Sequence, residues 1–211
     1  LTRNIYAVSR EGGEPRTLTD NPGSDATPTV SPDGRRLAYI YIAERGAPLD
    51  LLVVDIDETG TFQSEPRNLT ADWDLSPGEP RWTPGGDAIR FLAFIGGNRH
   101  VFEVTLGDGR IRQVTAGDRF LGDVSTSDDG TVSAYTVTTP LMPAELFMTD
   151  ASGEEHKLTS FNEKWLAEVT LVPPERITWT VGDGTGVEGW LIKPLGYVAG
   201  QKYPMILKIH G

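Results

Sequence analysis

The chain has 211 residues, and its 30 acidic and 19 basic side chains give a formal net charge of −11. This balance argues against nucleic acid as a partner, because such binding needs basic groups that displace counterions from phosphate. The absence of cysteine excludes disulfides, iron–sulfur clusters and thiol catalysis. No apolar run approaches the roughly 20 residues of a membrane helix, and three widely spaced histidines do not indicate a metal site. We therefore expect no cofactor, no metal, and neither nucleic acid nor membrane as a partner.

Four copies of a β-rich motif follow one another along the chain. Each copy is a pair of strand-like runs, and the second run ends in a Leu-Thr or Val-Thr step. The apolar residues of these steps are 51, 45 and 44 residues apart, at Leu18, Leu69, Val114 and Leu158. Glycine-containing turns such as residues 107–109 separate the two runs. Because glycine tolerates the positive φ of tight turns, each copy is predicted to be a β-hairpin.

A second landmark recurs in phase with the first. Turn tetrads occur at Ser31-Pro32-Asp33-Gly34, Thr83-Pro84-Gly85-Gly86 and Ser127-Asp128-Asp129-Gly130, and a strand-like run follows each of them. One period thus holds about four short strands, which is the content of a β-propeller blade. A generic β-sandwich with coincidental turns is the alternative, but landmarks that recur in phase favour the propeller. We predict a mostly β chain with about four blades over residues 1–172.

The pattern changes after the fourth copy. Pro173-Pro174 is typical of a linker, and two more strand-like runs follow at residues 177–181 and 187–192. We predict a hairpin here, with Trp179 and Trp190 facing each other across it.

The last run of the chain has a different character. Residues 203–209 are mostly apolar, as expected of a strand buried on both faces of an α/β sheet. Residues 173–211 are therefore predicted to belong to a second domain, and the sequence is expected to stop within it.

The order of these motifs resembles the prolyl oligopeptidase family of serine peptidases, and within it the acylaminoacyl-peptidase branch. The resemblance rests on the Ser31-Pro32-Asp33-Gly34 type of turn, Asp183-Gly184-Thr185, Lys193-Pro194, and Tyr203-Pro204 followed by Ile209-His210-Gly211. It implies about four blades of a normally seven-bladed β-propeller, followed by the first strands of an α/β-hydrolase domain.

The resemblance also implies an activity. A serine peptidase of this type would hydrolyse short peptides, including the release of N-acylated amino acids, and its propeller would gate substrate access. His210 and Gly211 would begin the oxyanion loop, with His210 ordering the loop rather than acting as the base. No Gly-x-Ser-x-Gly elbow occurs in the sequence, so the Ser-Asp-His triad is expected beyond residue 211 and the chain alone is expected to be inactive.

A protein-binding propeller of the TolB type, without catalysis, is the alternative. The segment 175–211 favours the peptidase, because a pure propeller would continue with another blade. The expected partners are then a peptide substrate and the remainder of the same protein. An incomplete ring is expected to self-associate through exposed strand edges, and the lack of cysteine is compatible with the cytoplasm, where we expect the protein.

The sequence also leads to expectations for several other polar residues. We expect His100 and His156 to be strand-end or surface residues, and the pairs Asp72 with Asp74 and Asp128 with Asp129 to be solvated turns. Arg99 and Arg119 are candidates for holding a peptide terminus, but no local motif selects them.

Overall fold

The computed structural model describes residues 2–209, and its regular structure is almost wholly β-strand. The described repeat region contains the strands β1 (Tyr6–Ala7), β2 (Arg16–Thr17), β3 (Ser24–Val30), β4 (Arg36–Ile42), β5 (Leu49–Asp55), β6 (Arg67–Asn68), β7 (Gly78–Trp82), β8 (Ala88–Ile95), β9 (Asn98–Thr105), β10 (Ile111–Gln113), β11 (Phe120–Thr126), β12 (Ser133–Thr139), β13 (Met142–Thr149) and β14 (Glu155–Lys157). The tail holds the helix α1 (Glu163–Glu168) and the strands β15 (Glu175–Thr180) and β16 (Gly186–Leu191). Within residues 2–209, no helix has the length and apolar character needed to cross a bilayer.

Three groups of four consecutive strands form antiparallel meanders, namely β3–β6, β7–β10 and β11–β14. Each group is one propeller blade. The β1–β2 hairpin corresponds to the outer two strands of a preceding blade. Among the described residues, one parallel pairing, Phe120 with Arg99, links the β7–β10 and β11–β14 blades. The predicted mostly β fold with four blade repeats is confirmed, with three complete blades and one repeat present as its outer hairpin.

The recurring Thr of the Leu/Val-Thr step has the same role in every repeat. Its hydroxyl oxygen accepts the backbone N–H of a residue on the neighbouring strand. The pairs are Ile5 N with Thr19 at 2.9 Å, Leu51 N with Thr70 at 2.9 Å, Val101 N with Thr115 at 3.0 Å and Leu146 N with Thr159 at 2.9 Å. The step therefore closes each outer hairpin by satisfying a backbone donor that the strand ladder leaves open.

The turn tetrads are also held by side-chain hydrogen bonds. The Ser31 hydroxyl accepts the Arg36 N–H at 2.9 Å, and Ser127 accepts the Val132 N–H at 3.0 Å. Successive tetrads touch, because a Cβ at Gly130 would lie only 2.8 Å from the Pro84 Cγ. Glycine at this position thus allows the turns of neighbouring blades to pack closely.

The core lies between the blades. One cluster joins the facing sides of the β3–β6 and β7–β10 blades, and it includes Ala38, Ile40, Leu51, Val53, Ile89, Phe91, Phe102 and Val104. The Trp73 ring, on the connection between these blades, packs edge-on against Phe91 at 5.2 Å and Phe102 at 5.1 Å. A second cluster around Leu121 and Tyr135 joins the next pair of blades. Burial of these apolar faces, at about 25 cal/mol per Å², is the main stabilising contribution.

The tail differs from the sequence prediction. Residues 203–209 form no strand, because no other strand among the described residues pairs with them and a buried strand needs such partners. In the β15–β16 hairpin, Trp179 pairs with Val187 and Trp190 pairs with Arg176. Side chains alternate along a strand, so the two tryptophans lie on opposite faces and the predicted contact between them is wrong. The domain boundary at Pro173 stays a prediction.

Candidate functional site

The tail hairpin lies against one edge of the blades. In each blade, the turn between the second and third strands lies at the edge where the first strand begins. We call this edge, defined by the turns at residues 43–48, 96–97 and 140–141, the hairpin edge. The Trp190 ring occupies the space beside Gly97, where a Cβ would lie 2.4 Å from Trp190 Cζ2. The Arg176 guanidinium lies next to it, 3.7 Å from the position of a Gly96 Cβ.

Arg99 is the centre of a charged and aromatic cluster at the same edge. Its Nη2 donates to Glu79 Oε1 at 2.6 Å. Its guanidinium lies 5.7 Å from the ring centroid of Phe94 and 5.4 Å from that of Phe120, within the range of a cation–π contact. Because Arg99 is committed to these three groups, it offers little free positive charge to a ligand.

The innermost strand of each complete blade carries a bulge at the same place. The register shifts once in β3, β7 and β11, and the residue at the shift has a positive φ: Thr27 at 46°, Glu79 at 54° and Asp123 at 48°. Non-glycine residues rarely adopt this conformation, and bulges of this kind re-aim side chains. Innermost strands line the channel of a propeller, so Glu79 and Asp123 present carboxylates on that side.

A cleft of about 1100 Å³ opens between the β7–β10 and β11–β14 blades. Among its lining residues, Arg119 donates from Nη1 to both Glu155 oxygens at 2.8 and 2.7 Å, and the Tyr135 hydroxyl donates to the same carboxylate. Burial works against ionisation of Glu155, but these two donors hold its pKa below the usual range. Like Arg99, Arg119 is therefore paired with a carboxylate and does not project freely into the cleft.

Two buried polar residues occupy equivalent positions in successive blades. His100 and Glu145 each precede the strand residue whose N–H is bound by the repeat threonine. His100 is only 2% exposed, and its Nδ1 lies 3.2 Å from Thr115 Oγ1. Burial, followed by the nearby Arg119 charge, lowers the pKa of His100. The prediction that His100 lies at the surface or at a strand end is therefore wrong. His100 is buried, because a side chain at this position of the repeat points into the junction between two blades.

Glu145 anchors the segment that leaves the last blade. It is 2% exposed, and its carboxylate accepts the Thr159 hydroxyl, the Phe161 and Asn162 backbone N–H groups, and the Asn162 amide. The Thr159 bond comes first among the causes that lower the pKa of Glu145 to about 2. The sequence pattern did not indicate Glu145, although Glu145 and His100 occupy the same position of the repeat.

Comparison with known proteins supports this architecture. No protein-family profile matches the chain. Dipeptidyl-peptidase 5 of Porphyromonas gingivalis is 27% identical over 99% of the chain, which spans 30% of that protein. An uncharacterized peptidase of Bacillus subtilis, YuxL, is 30% identical over 63% of the chain and 20% of its own length. The structure of Pyrococcus horikoshii acylaminoacyl peptidase matches with a TM-score of 0.66 and 20% identity, over 90% of this chain and 28% of that one.

The chain is similar in sequence to proteins named as peptidases, at 30% identity or less. It shares the propeller fold with acylaminoacyl peptidase, and it spans about 30% of the length of the curated relatives named dipeptidyl-peptidase 5. The same blade architecture also occurs in proteins that are not named as peptidases. TolB from Acinetobacter baumannii matches with a TM-score of 0.57 and 19% identity, over 93% of this chain and 47% of that one, which is a likeness of fold alone.

The site residues expected from the family resemblance, His210 and Gly211, lie outside the described residues and stay predictions. Within residues 2–209, the two histidines are bonded to Thr115 and to Asp150 rather than to a serine hydroxyl.

Among the described residues, Asp150, Glu154 and His156 form a cluster whose ligand atoms lie within 4.8 Å of one another and could hold a metal ion. Asp150 Oδ1 already accepts three bonds from Ser152 and Glu154 that close the turn between β13 and β14. Its Oδ2 lies 2.9 Å from His156 Nε2, and this bond raises the pKa of His156. The same aspartate-capped turn occurs at Asp57 in an earlier blade, so the cluster is explained by hairpin closure.

Proposed function

We propose that the chain is the access-controlling propeller portion of a serine peptidase that cleaves short peptides, and that residues 1–211 alone do not hydrolyse them. The observation that carries the proposal is the tail hairpin, which packs on the hairpin edge and is followed by a segment, residues 203–211, whose sequence resembles that of a hydrolase strand. The relationship to proteins named peptidases supports the reaction class. His210 and Gly211 would then begin the oxyanion loop, and the nucleophile would lie beyond residue 211.

The charges near the channel bear on the substrate. Arg99 and Arg119, the candidates for binding a peptide terminus, are both paired with carboxylates. Glu79 is neutralised by its bond to Arg99, Asp123 projects from the innermost strand β11, and the whole chain carries a net charge of −11. An acidic surface concentrates cationic ligands. This favours peptides with a free amino terminus, as in dipeptide release, over N-acylated peptides.

The test is carried out on the intact protein that contains this chain. Labelling with a fluorophosphonate, together with the intact mass of every polypeptide, shows whether a reactive serine is present and on which polypeptide it lies. Chromogenic dipeptidyl and N-acetyl-aminoacyl substrates are then compared. The proposal expects a labelled serine outside residues 1–211, cleavage of the dipeptidyl substrate, and no turnover by the 211-residue chain alone. Absence of both labelling and turnover in the intact protein would contradict it.

The second candidate is a TolB-like module that binds a protein and has no catalytic activity. The structural likeness to TolB supports it, because the blades alone do not distinguish the two. The same labelling experiment separates them, since a binding module carries no activated serine.

A further inference from the structure

We infer that Gly97 and Trp190 form a latch that holds the tail hairpin on the propeller. Gly97 lies in the turn between β8 and β9 with φ +78°, and the Trp190 ring fills the space that any side chain at position 97 would need. A Cβ there would approach three ring atoms, at 2.4, 2.7 and 3.3 Å. The turn and the ring thus exclude any residue larger than glycine while the hairpin is seated.

Only one face of the hairpin takes part in this contact. Strand alternation places Arg176, Glu188 and Trp190 on the face toward the propeller, and Arg176 forms an ion pair with Glu188 there. On the other face, Trp179 covers Gly189 of its own hairpin, with a Cβ at Gly189 only 3.2 Å from the Trp179 ring. The two tryptophans are equally exposed, at 47% each, and Trp190 is the one that lies beside the Gly97 turn.

Few other contacts restrain the hairpin. All six residues of β15 are exposed, and Pro173-Pro174, which directly precede the strand, are in no helix, strand or turn. A segment with so little burial opens at low free-energy cost, so the seating of one large aromatic side chain has a large effect on its position. Release of Trp190 would let the hairpin move away from the hairpin edge. The effect of this movement on the size of the peptides admitted rests on the proposed function, whereas the latch itself rests on the contacts alone.

Hydrogen–deuterium exchange on the intact protein tests the latch with two pairs of variants. Trp190→Ala removes the ring, and Trp179→Ala is its control on the opposite face of the same hairpin. Gly97→Ala blocks the seat, and Gly96→Ala is its control. Gly96 also has a positive φ, +54°, but a Cβ there would meet nothing closer than 3.7 Å. Gly96→Ala therefore reports the backbone strain of the turn without the steric block.

The readout is exchange of the amides in residues 94–98 and 186–191. We expect Trp190→Ala and Gly97→Ala to raise exchange in both segments by roughly tenfold, the equivalent of about 1.4 kcal/mol. Gly96→Ala should change both segments much less, and Trp179→Ala, which uncovers Gly189, should leave residues 94–98 unchanged. Unchanged exchange in Trp190→Ala, or equal effects of Gly96→Ala and Gly97→Ala, would overturn the latch. Cleavage of longer against shorter peptides is measured separately. If exchange rises but this ratio stays constant, the latch stands and the gating role in the proposed function fails.

Discussion

At the scale of single residues, charged side chains of the blades are bonded to one another. Glu103 illustrates it, because it accepts bonds from both Arg90 and Arg112 and is 7% exposed. Burial raises the pKa of this carboxyl, yet the two arginines reverse the effect and leave the pKa below its usual range. Loss of one partner from such a group leaves a charge without compensation, which costs more than the ion pair itself contributes.

Glu145 gives the clearest residue-scale prediction. Its folded-state pKa of about 2 lies below the ordinary value of 4.5, so at low pH protons bind the unfolded chain first. The stabilisation is present above pH 4.5 and is lost as the pH falls toward 2. In Glu145→Gln, an NH₂ group would face backbone donors, and the charge would be absent. We expect this variant to unfold at a temperature several degrees lower at pH 7 and to lose part of the acid-side slope.

Thermal unfolding followed by circular dichroism between pH 7 and pH 2 measures both effects. Glu58→Gln is the control, because Glu58 is exposed in the turn after β5. A wild-type acid slope that persists unchanged in Glu145→Gln would show that other carboxylates cause it.

At the scale of the element, the hydroxyl of the repeat threonine can be removed with little change in side-chain volume, by substitution with valine. Thr70 is 2% exposed, and its Oγ1 accepts the N–H of the fully buried Leu51. Thr70→Val leaves that donor without a partner, and a buried unsatisfied donor costs about 1–3 kcal/mol. We expect a loss of this size in the free energy of urea unfolding. Thr170→Val, at an exposed position, should change it by less than about 0.5 kcal/mol, and equal effects would argue against the role of the hydroxyl.

The turn tetrads allow a matched comparison between blades. Gly34 and Gly130 occupy the same tetrad position with φ of 73° and 75°, but Gly34 has open space around it and Gly130 faces Pro84. Alanine at position 34 should cost about 1–2 kcal/mol for the left-handed backbone alone. Alanine at position 130 should cost a further 1–3 kcal/mol or so, because the neighbouring turn must move. Chemical unfolding of both variants measures the difference, and equal costs would mean that the turns separate easily.

The sequence predicts well those features that are local and repeated. The spacing of Leu18, Leu69, Val114 and Leu158 indicates the hairpins, since turn chemistry and the closing hydroxyl both lie within one repeat. The bulge at Glu79, the burial of His100 and the seating of Trp190 at Gly97 depend on which elements become neighbours. A single repeat carries no signal for them. His100 and Glu145 occupy the same position in two repeats, so a comparison of the repeats indicates a shared role for them. The tail is not repeated, and such a comparison therefore gives no information about Trp190.

At the scale of the whole molecule, the blades stack through facing apolar sides, and the β11–β14 blade has such a partner on one side only among the described residues. Phe147 packs with Tyr135 and Val137 toward the β7–β10 blade. Alternation along β13 directs Leu146 and Met148 to the opposite side. Leu146 is 37% exposed there, on a sheet face where a further blade or a second molecule could pack.

This open face predicts the behaviour of the isolated chain. We expect the 211-residue chain to self-associate in light scattering, because an uncovered sheet face and its strand edges favour pairing. Leu146→Lys should shift the distribution toward monomer, since a buried lysine at the contact would lose its hydration. Leu141→Lys is the control, because Leu141 is similarly exposed, at 43%, but lies in the turn between β12 and β13. A stable monodisperse wild-type monomer would contradict the prediction, and equal effects of the two lysines would place the contact at the hairpin edge instead.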